Sequence, residues 1–226
     1  MRKSTLAIMT SLLFMASTST FATVSISKNP QAREKDVDSV KITFSGDVTQ
    51  RSVSELIGSI SEINSSYRNA KKIYLYINSD GGDMDGGYMA YEAIKSSPIP
   101  VTTINLSMTA SSATLIHCAG AERLALPFSH FLLHPAGTGI QMEIARPNEL
   151  DQIKQLLDAY NNTFLNIYRK CTTFSDDELS KILLSEDNRQ IISPDMAKEK
   201  GIITGVTEKI EYTPVSYYIL TTEDDN

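Results

Sequence analysis

Ser111 has the surroundings of a nucleophile. It sits in the run Met108-Thr109-Ala110-Ser111-Ser112-Ala113, where an apolar strand pattern hands over to an apolar helical one through small side chains. A turn of this composition exposes main-chain N–H groups and lets another molecule approach the backbone closely. A hydroxyl pointing out of such a turn, with the next amide, that of Ser112, donating to the oxygen of an attacked carbonyl, is what acyl transfer requires. A second turn of the same kind, Asn78-Ser79-Asp80-Gly81-Gly82, offers further donors. Taken alone, Ser107, Thr109, Ser111 and Ser112 are better explained by helix capping than by catalysis.

A serine nucleophile needs a base, and the chain holds three histidines. His117 follows Ser111 by six residues, about 240° around a helix, so the two side chains diverge. His130 lies on the strand face of His134 but four residues deeper, about 13 Å at strand rise. His134 directly precedes Pro135, which forces extended backbone and presents the ring at the sheet margin. His134 is therefore the candidate base.

The elements that must carry these residues alternate. Val40 to Phe44 reads as a strand, Val53 to Ile63 as a helix, Ile73 to Ile77 as a strand, Tyr88 to Ile94 as helix, and Val101 to Asn105 as a strand. A helix around Ala110 to Ala119, a strand from Phe128 to Leu133 and a long amphipathic helix from Asn148 to Lys170 follow. Ser175 with Glu178 forms a capping box for a helix to Leu184, and Ser193-Pro194 opens a last helix ending at Gly201. The rhythm predicts a layered α/β fold with parallel strands joined by crossover helices, one domain over residues 40–226 with a short acidic end. Residues 23–39 read as a loose leader.

Arg2 and Lys3 precede an apolar run from Leu6 to Met15, and Thr20-Phe21-Ala22 places small residues where a secretory signal is cut, so residues 1–22 read as a signal peptide. That run is too short and too rich in Ser and Thr for a membrane span. The expected location is periplasmic or secreted, with no membrane attachment after cleavage. Removing residues 1–22 leaves 19 basic against 27 acidic residues, a net charge of −8 over 204 residues. An acidic protein without a basic cluster is a poor partner for nucleic acid. In an oxidising compartment Cys118 and Cys171 can pair, but a buried core thiol explains Cys118 equally well. Asp83, Asp85, Gly86 and Glu92 match part of a calcium loop, yet Gly81 stands at its first ligand position and a strand precedes it. No metal or organic cofactor is expected.

Three segments in order, Tyr74 to Gly82 (YLYINSDGG), Thr109 to Ala113 (TASSA) and Leu132 to Pro135 (LLHP), resemble the successive motifs of the Clp protease proteolytic subunit family. The likeness runs from about Val40 to Gly205. It implies a crotonase-like fold and a serine peptidase with Ser111 as nucleophile, His134 as general base and the amides of Gly82 and Ser112 as oxyanion hole. It also implies homo-oligomers in which the long helix is a handle between subunits. A gap-free match puts Arg189 at the family's aspartate, and a small shift makes Asp187 the third triad member, with Asp195 or no acid at all as the alternatives. Asp80 stands where the family has proline, and Asp83 where it has an apolar residue.

The expected activity is therefore ATP-independent hydrolysis of peptides or unfolded protein segments by an exported enzyme that meets no ATP-driven unfoldase. Two other readings use the same fold: a catalytically silent assembly or peptide-binding protein, and a crotonase-type enzyme acting on acyl-coenzyme A.

Overall fold

A computed structural model describes residues 21–139, 144 and 146–222. Most of the expected signal peptide and the acidic end from residue 223 lie outside the described residues. Nine strands form one sheet in the order β1 (Phe21–Lys28), β9 (Val215–Thr222), β2 (Ser39–Ser45), β3 (Lys72–Ser79), β4 (Val101–Ala110), β5 (Glu122–Ala125) and β8 (Gly205–Val206), with β6 (His130–Leu133) and β7 (Gln190–Ile192) branching from β4. The neighbours β9, β2, β3, β4 and β5 run parallel. The expected α/β architecture is present.

Helix α1 (Gln50–Ser66) covers one face by burying Val53, Leu56, Ile60 and Ile63 against the alternating inner set Val40, Ile42 and Phe44 of β2. Its start is set by Thr49, whose hydroxyl accepts the Ser52 N–H while Ser52 returns the bond to the Thr49 N–H. Helix α2 (Met84–Lys95) links β3 to β4, and α3 (Ala113–Cys118) follows β4. The later helices are α4 (Pro147–Cys171), α5 (Asp176–Ile182) and α6 (Pro194–Glu199).

The feature that builds the site is a fork at β4. Its first half, Thr102 to Asn105, pairs with β5, and its second half, Met108 to Ala110, pairs with β6. Asn105 sits at the fork, and its side-chain amide donates to the His130 carbonyl at 2.7 Å. The fork carries β6 alongside the end of β4, while the antiparallel strand β7 closes on the other side of β6.

Residues 23–39 are not a loose leader throughout. Thr23 to Lys28 belong to β1, which pairs antiparallel with β9 over its whole length. Val24 packs against the core. Thr23-Val-Ser-Ile-Ser-Lys28 alternates as a strand does, and the partner that this alternation pairs with, β9, lies at the far end of the chain.

Helix α4 is long and only partly covered. At 25 residues it extends about 37 Å. Its last turns bury Phe164, Ile167, Tyr168 and Cys171, whereas Leu150 and Leu156 stay exposed. A disulfide joins Cys171 at its end to Cys118 at the end of α3. The bond closes a loop of sequence separation 53. By loss of unfolded-chain entropy such a loop stabilises the fold by about 4 kcal/mol. The double variant Cys118→Ser/Cys171→Ser is therefore expected to melt roughly 10 °C below the oxidised protein in calorimetry. Equal melting temperatures would show that the bridge contributes nothing.

Candidate active site

Ser111 lies where β4 ends and before α3 begins, in a left-handed backbone conformation with φ of 52°. Among the described residues no other non-glycine residue has positive φ. A non-glycine side chain there costs on the order of 1 kcal/mol, so the surrounding bonds must hold it. The Ser111 N–H donates to the Leu132 carbonyl of β6 at 3.1 Å, and the Ser111 carbonyl accepts the Thr114 N–H at 2.9 Å. No hydrogen bond engages Ser111 Oγ among the described residues.

The glycine turn after β3 fits against the serine turn. Gly81 has φ of 99°, and a Cβ there would stand 2.5 Å from Ser111 Cβ and 3.1 Å from the Ser112 nitrogen. Gly82, at φ of 139°, would drive a Cβ into the Val48 carbonyl. Both positions thus require glycine, for conformation and for space. The turn is pinned to the end of β2 by two bonds of 2.8 Å, from the Val48 N–H to the Gly81 carbonyl and from the Asp83 N–H to the Val48 carbonyl. Among the described residues neither the Gly82 N–H nor the Ser112 N–H has a protein acceptor. Two free donors from separate turns, brought together by this contact, are what an oxyanion needs.

His134 follows β6 directly. Parallel pairing sets Ala110 opposite Leu132 and so Ser111 level with Leu133, which puts Ser111 and His134 on neighbouring strand ends one residue out of step, about 6 Å apart at the Cα level from strand spacing and rise. The structure brings them to one edge without closing a hydrogen bond between them. In free enzymes such bonds are often long and tighten only with substrate.

The acid partner differs from the sequence expectation. The carboxylate beside His134 is that of Glu186, its Oε2 lying 3.2 Å from Nδ1, and not that of Asp187. Residues 186–188 form a 3₁₀ turn, in which successive side chains diverge by about 120°, so a turn that aims Glu186 at His134 aims Asp187 elsewhere. Asp195, the other candidate, lies in the first turn of α6 and makes no ion pair among the described residues. Antiparallel pairing of Leu133 with Gln190 carries the 186–189 segment to the histidine. Arg189 grips the other oxygen of Glu186 at 3.1 Å and so fixes the carboxylate from its far side. A carboxylate at Nδ1 places the imidazole proton there and leaves the Nε2 lone pair to act as base. Glu186 remains half exposed.

Two acidic residues near the glycine turn, Asp83 and Asp85, have structural tasks. Asp83 caps α2 by accepting the Gly86 N–H at 2.6 Å. Asp85 accepts a hydrogen bond from Tyr160 of α4 at 3.1 Å. Asp80 lines a recess of about 270 Å³ with Asp47, Ser45, Asn78 and Ser79.

Behind the serine turn, His117 is fully buried on α3, its ring edge against Phe131, and the Ile202 backbone beside the ring makes no well-formed hydrogen bond to either nitrogen. Burial, reinforced by the nearby Arg123 guanidinium, lowers its pKa to about 3. The folded chain keeps this ring neutral where an unfolded histidine, titrating near 6.5, takes up a proton. The stability that His117 contributes is complete above pH 6.5 and is lost as pH falls toward 3, amounting to roughly 2 kcal/mol by pH 5. In urea unfolding at pH 7 and pH 5, His117→Leu is expected to reduce the acid-induced loss by that amount. An unchanged loss would refute the assignment.

A family model described as Clp protease matches residues 30–210. The ATP-dependent Clp protease proteolytic subunit 2 of Borreliella burgdorferi is 32% identical over 145 residues, covering 61% of this chain and 68% of the relative. The ATP-dependent Clp protease proteolytic subunit of Pleurastrum terricola is 27% identical over 164 residues, covering 72% of this chain and 80% of the relative. A solved structure of a ClpP1 mutant from Listeria monocytogenes superposes with a TM-score of 0.64 at 19% identity, over 75% of this chain and 91% of that one. At that identity the likeness speaks for the fold.

Proposed function

The chain belongs to the Clp protease family, and from that membership we propose that it is an exported serine peptidase that cleaves peptides or unfolded protein segments without ATP. The observation that carries the reading is the meeting of two turns: a serine held at positive φ, with the unpaired amides of Gly82 and Ser112 beside it and an imidazole backed by a carboxylate on the next strand. In this mechanism Ser111 Oγ attacks the scissile carbonyl and forms the C–O bond as His134 Nε2 takes its proton. The Gly82 and Ser112 amides stabilise the oxyanion. His134 then gives its proton to the leaving amine as the C–N bond breaks, and water, deprotonated by the same nitrogen, releases the acyl group. Glu186 holds the ring in the required tautomer.

Export is supported by the signal-like segment and by the Cys118–Cys171 bridge, a bond that persists in oxidising compartments. The relatives are named as ATP-dependent, and the ATP-independent reading of this chain rests on export, which would take it away from a cytoplasmic unfoldase. The apolar residues left open on α4, Leu150 and Leu156, support assembly through that helix. Hydrolysis of an unstructured fluorogenic peptide by the oxidised protein tests the reading. Cleavage without nucleotide, abolished by one equivalent of a fluorophosphonate per active chain, is expected. No cleavage and no inactivation in the assembled protein would leave a peptide-binding relative. Binding and turnover of an acyl-coenzyme A instead would replace the reaction class.

A further inference from the structure

The conformation of Ser111 is held from behind by a hydrogen-bond chain that begins on α4. Thr114, in the first turn of α3, places its Oγ1 2.5 Å from the Ser111 carbonyl oxygen and 2.6 Å from the Tyr168 hydroxyl. A threonine hydroxyl has one proton, and a carbonyl can only accept. The Thr114 proton therefore goes to Ser111, and Tyr168 must donate to Thr114. A threonine bonding three residues back along a helix is common and means little alone. Here the third member comes from another helix, 54 residues away in sequence, and Thr114 is the partner of its wholly buried phenol.

The same two helices are joined a second time. Cys118 lies four residues after Thr114 on α3, and Cys171 three residues after Tyr168 on α4, so both cysteines fall on the helix faces that carry the hydrogen bond. The disulfide thus prevents α4 from withdrawing Tyr168. The strained residue at the head of α3 is tied to the long helix at two points one turn apart.

We propose that Tyr168 and Thr114 are positioning residues, a buried relay braced by the Cys118–Cys171 bond that holds the Ser111 carbonyl and with it the nucleophile in the attacking conformation. This rests on the reading of Ser111 as nucleophile. Through the relay, the placement of α4 governs how well the serine turn is set, which makes the long helix part of the catalytic apparatus without touching substrate.

The test is the rate of fluorophosphonate labelling, with kcat and KM for a peptide, in the oxidised protein and in Tyr168→Phe, Thr114→Val and Thr114→Ser. A relay predicts that Tyr168→Phe and Thr114→Val each lower the labelling rate and kcat about tenfold at unchanged KM, and that Thr114→Ser restores most of the rate. It further predicts that the Tyr168→Phe/Thr114→Val double variant is no slower than Thr114→Val alone, since both break one chain. Folded variants that label and turn over like the parent protein would overturn the relay while leaving Ser111 as nucleophile. Additive losses in the double variant would likewise overturn it. If Tyr168→Phe fails to fold, the Thr114 pair decides by itself. A parent protein that never labels would remove the nucleophile and the relay together.

Discussion

Ser111→Ala is expected to lower kcat for peptide hydrolysis by roughly a millionfold, the loss found when the nucleophile of a serine triad is removed. Stability should scarcely change. Ser111 Oγ makes no hydrogen bond among the described residues, and alanine meets the same backbone cost at φ of 52° as serine does. The unfolding midpoint should therefore move by no more than about 0.5 kcal/mol in free-energy terms. Because nucleophile and base act as a unit, Ser111→Ala/His134→Ala should be no slower than either single variant. Single-turnover kinetics with unfolding curves on the same preparations check both points. Residual activity near one-tenth of the parent would place the nucleophile elsewhere.

The second large effect separates two adjacent carboxylates. Glu186→Gln is expected to reduce kcat roughly a thousandfold, because an amide at that position favours the tautomer with Nε2 protonated. This is less than the roughly ten-thousandfold loss for a buried triad aspartate, since Glu186 is half exposed and water can replace part of its effect. Asp187→Asn should change kcat less than threefold, because its side chain leaves the 3₁₀ turn in another direction. A pH–rate profile measured alongside distinguishes loss of the base's orientation from loss of fold. The reverse ranking of the two variants would restore Asp187 as the acid and contradict the side-chain placement described above.

These two expectations mark where the sequence is legible and where it is not. The strands β2, β3 and β4 and the helices between them are written in local periodicity, because each buries one face and the pattern of burial repeats at 2 or 3.6 residues. The turns that carry Ser111, Gly82 and Ser112 are legible as strand-to-helix junctions of small residues, but capping hydroxyls write the same pattern, so the residues alone do not single out a nucleophile. His134 announces itself by the proline behind it. Glu186 does not, because its place beside His134 comes from the antiparallel register of β6 and β7, three paired positions set by contacts far apart in the chain. A glutamate one position earlier reaches where a shorter aspartate from the next position does not. The pairing of β1 with β9, and of β9 with β2, is hidden for a related reason: alternation marks each segment but does not say which strand distant in sequence it joins. The Cys118–Cys171 pair and the Tyr168–Thr114 bond depend on how α4 lands on α3, which periodicity leaves open.

The most direct measurement is mass-spectrometric mapping of the covalent adduct formed when the oxidised, assembled protein meets a fluorophosphonate. One adduct per reactive chain is expected, on the peptide that contains Ser111 and on that residue, with formation lost in His134→Ala. Modification of Ser107, Ser112 or a serine remote from the two turns, or no modification of a folded protein that nevertheless hydrolyses peptides, would contradict it.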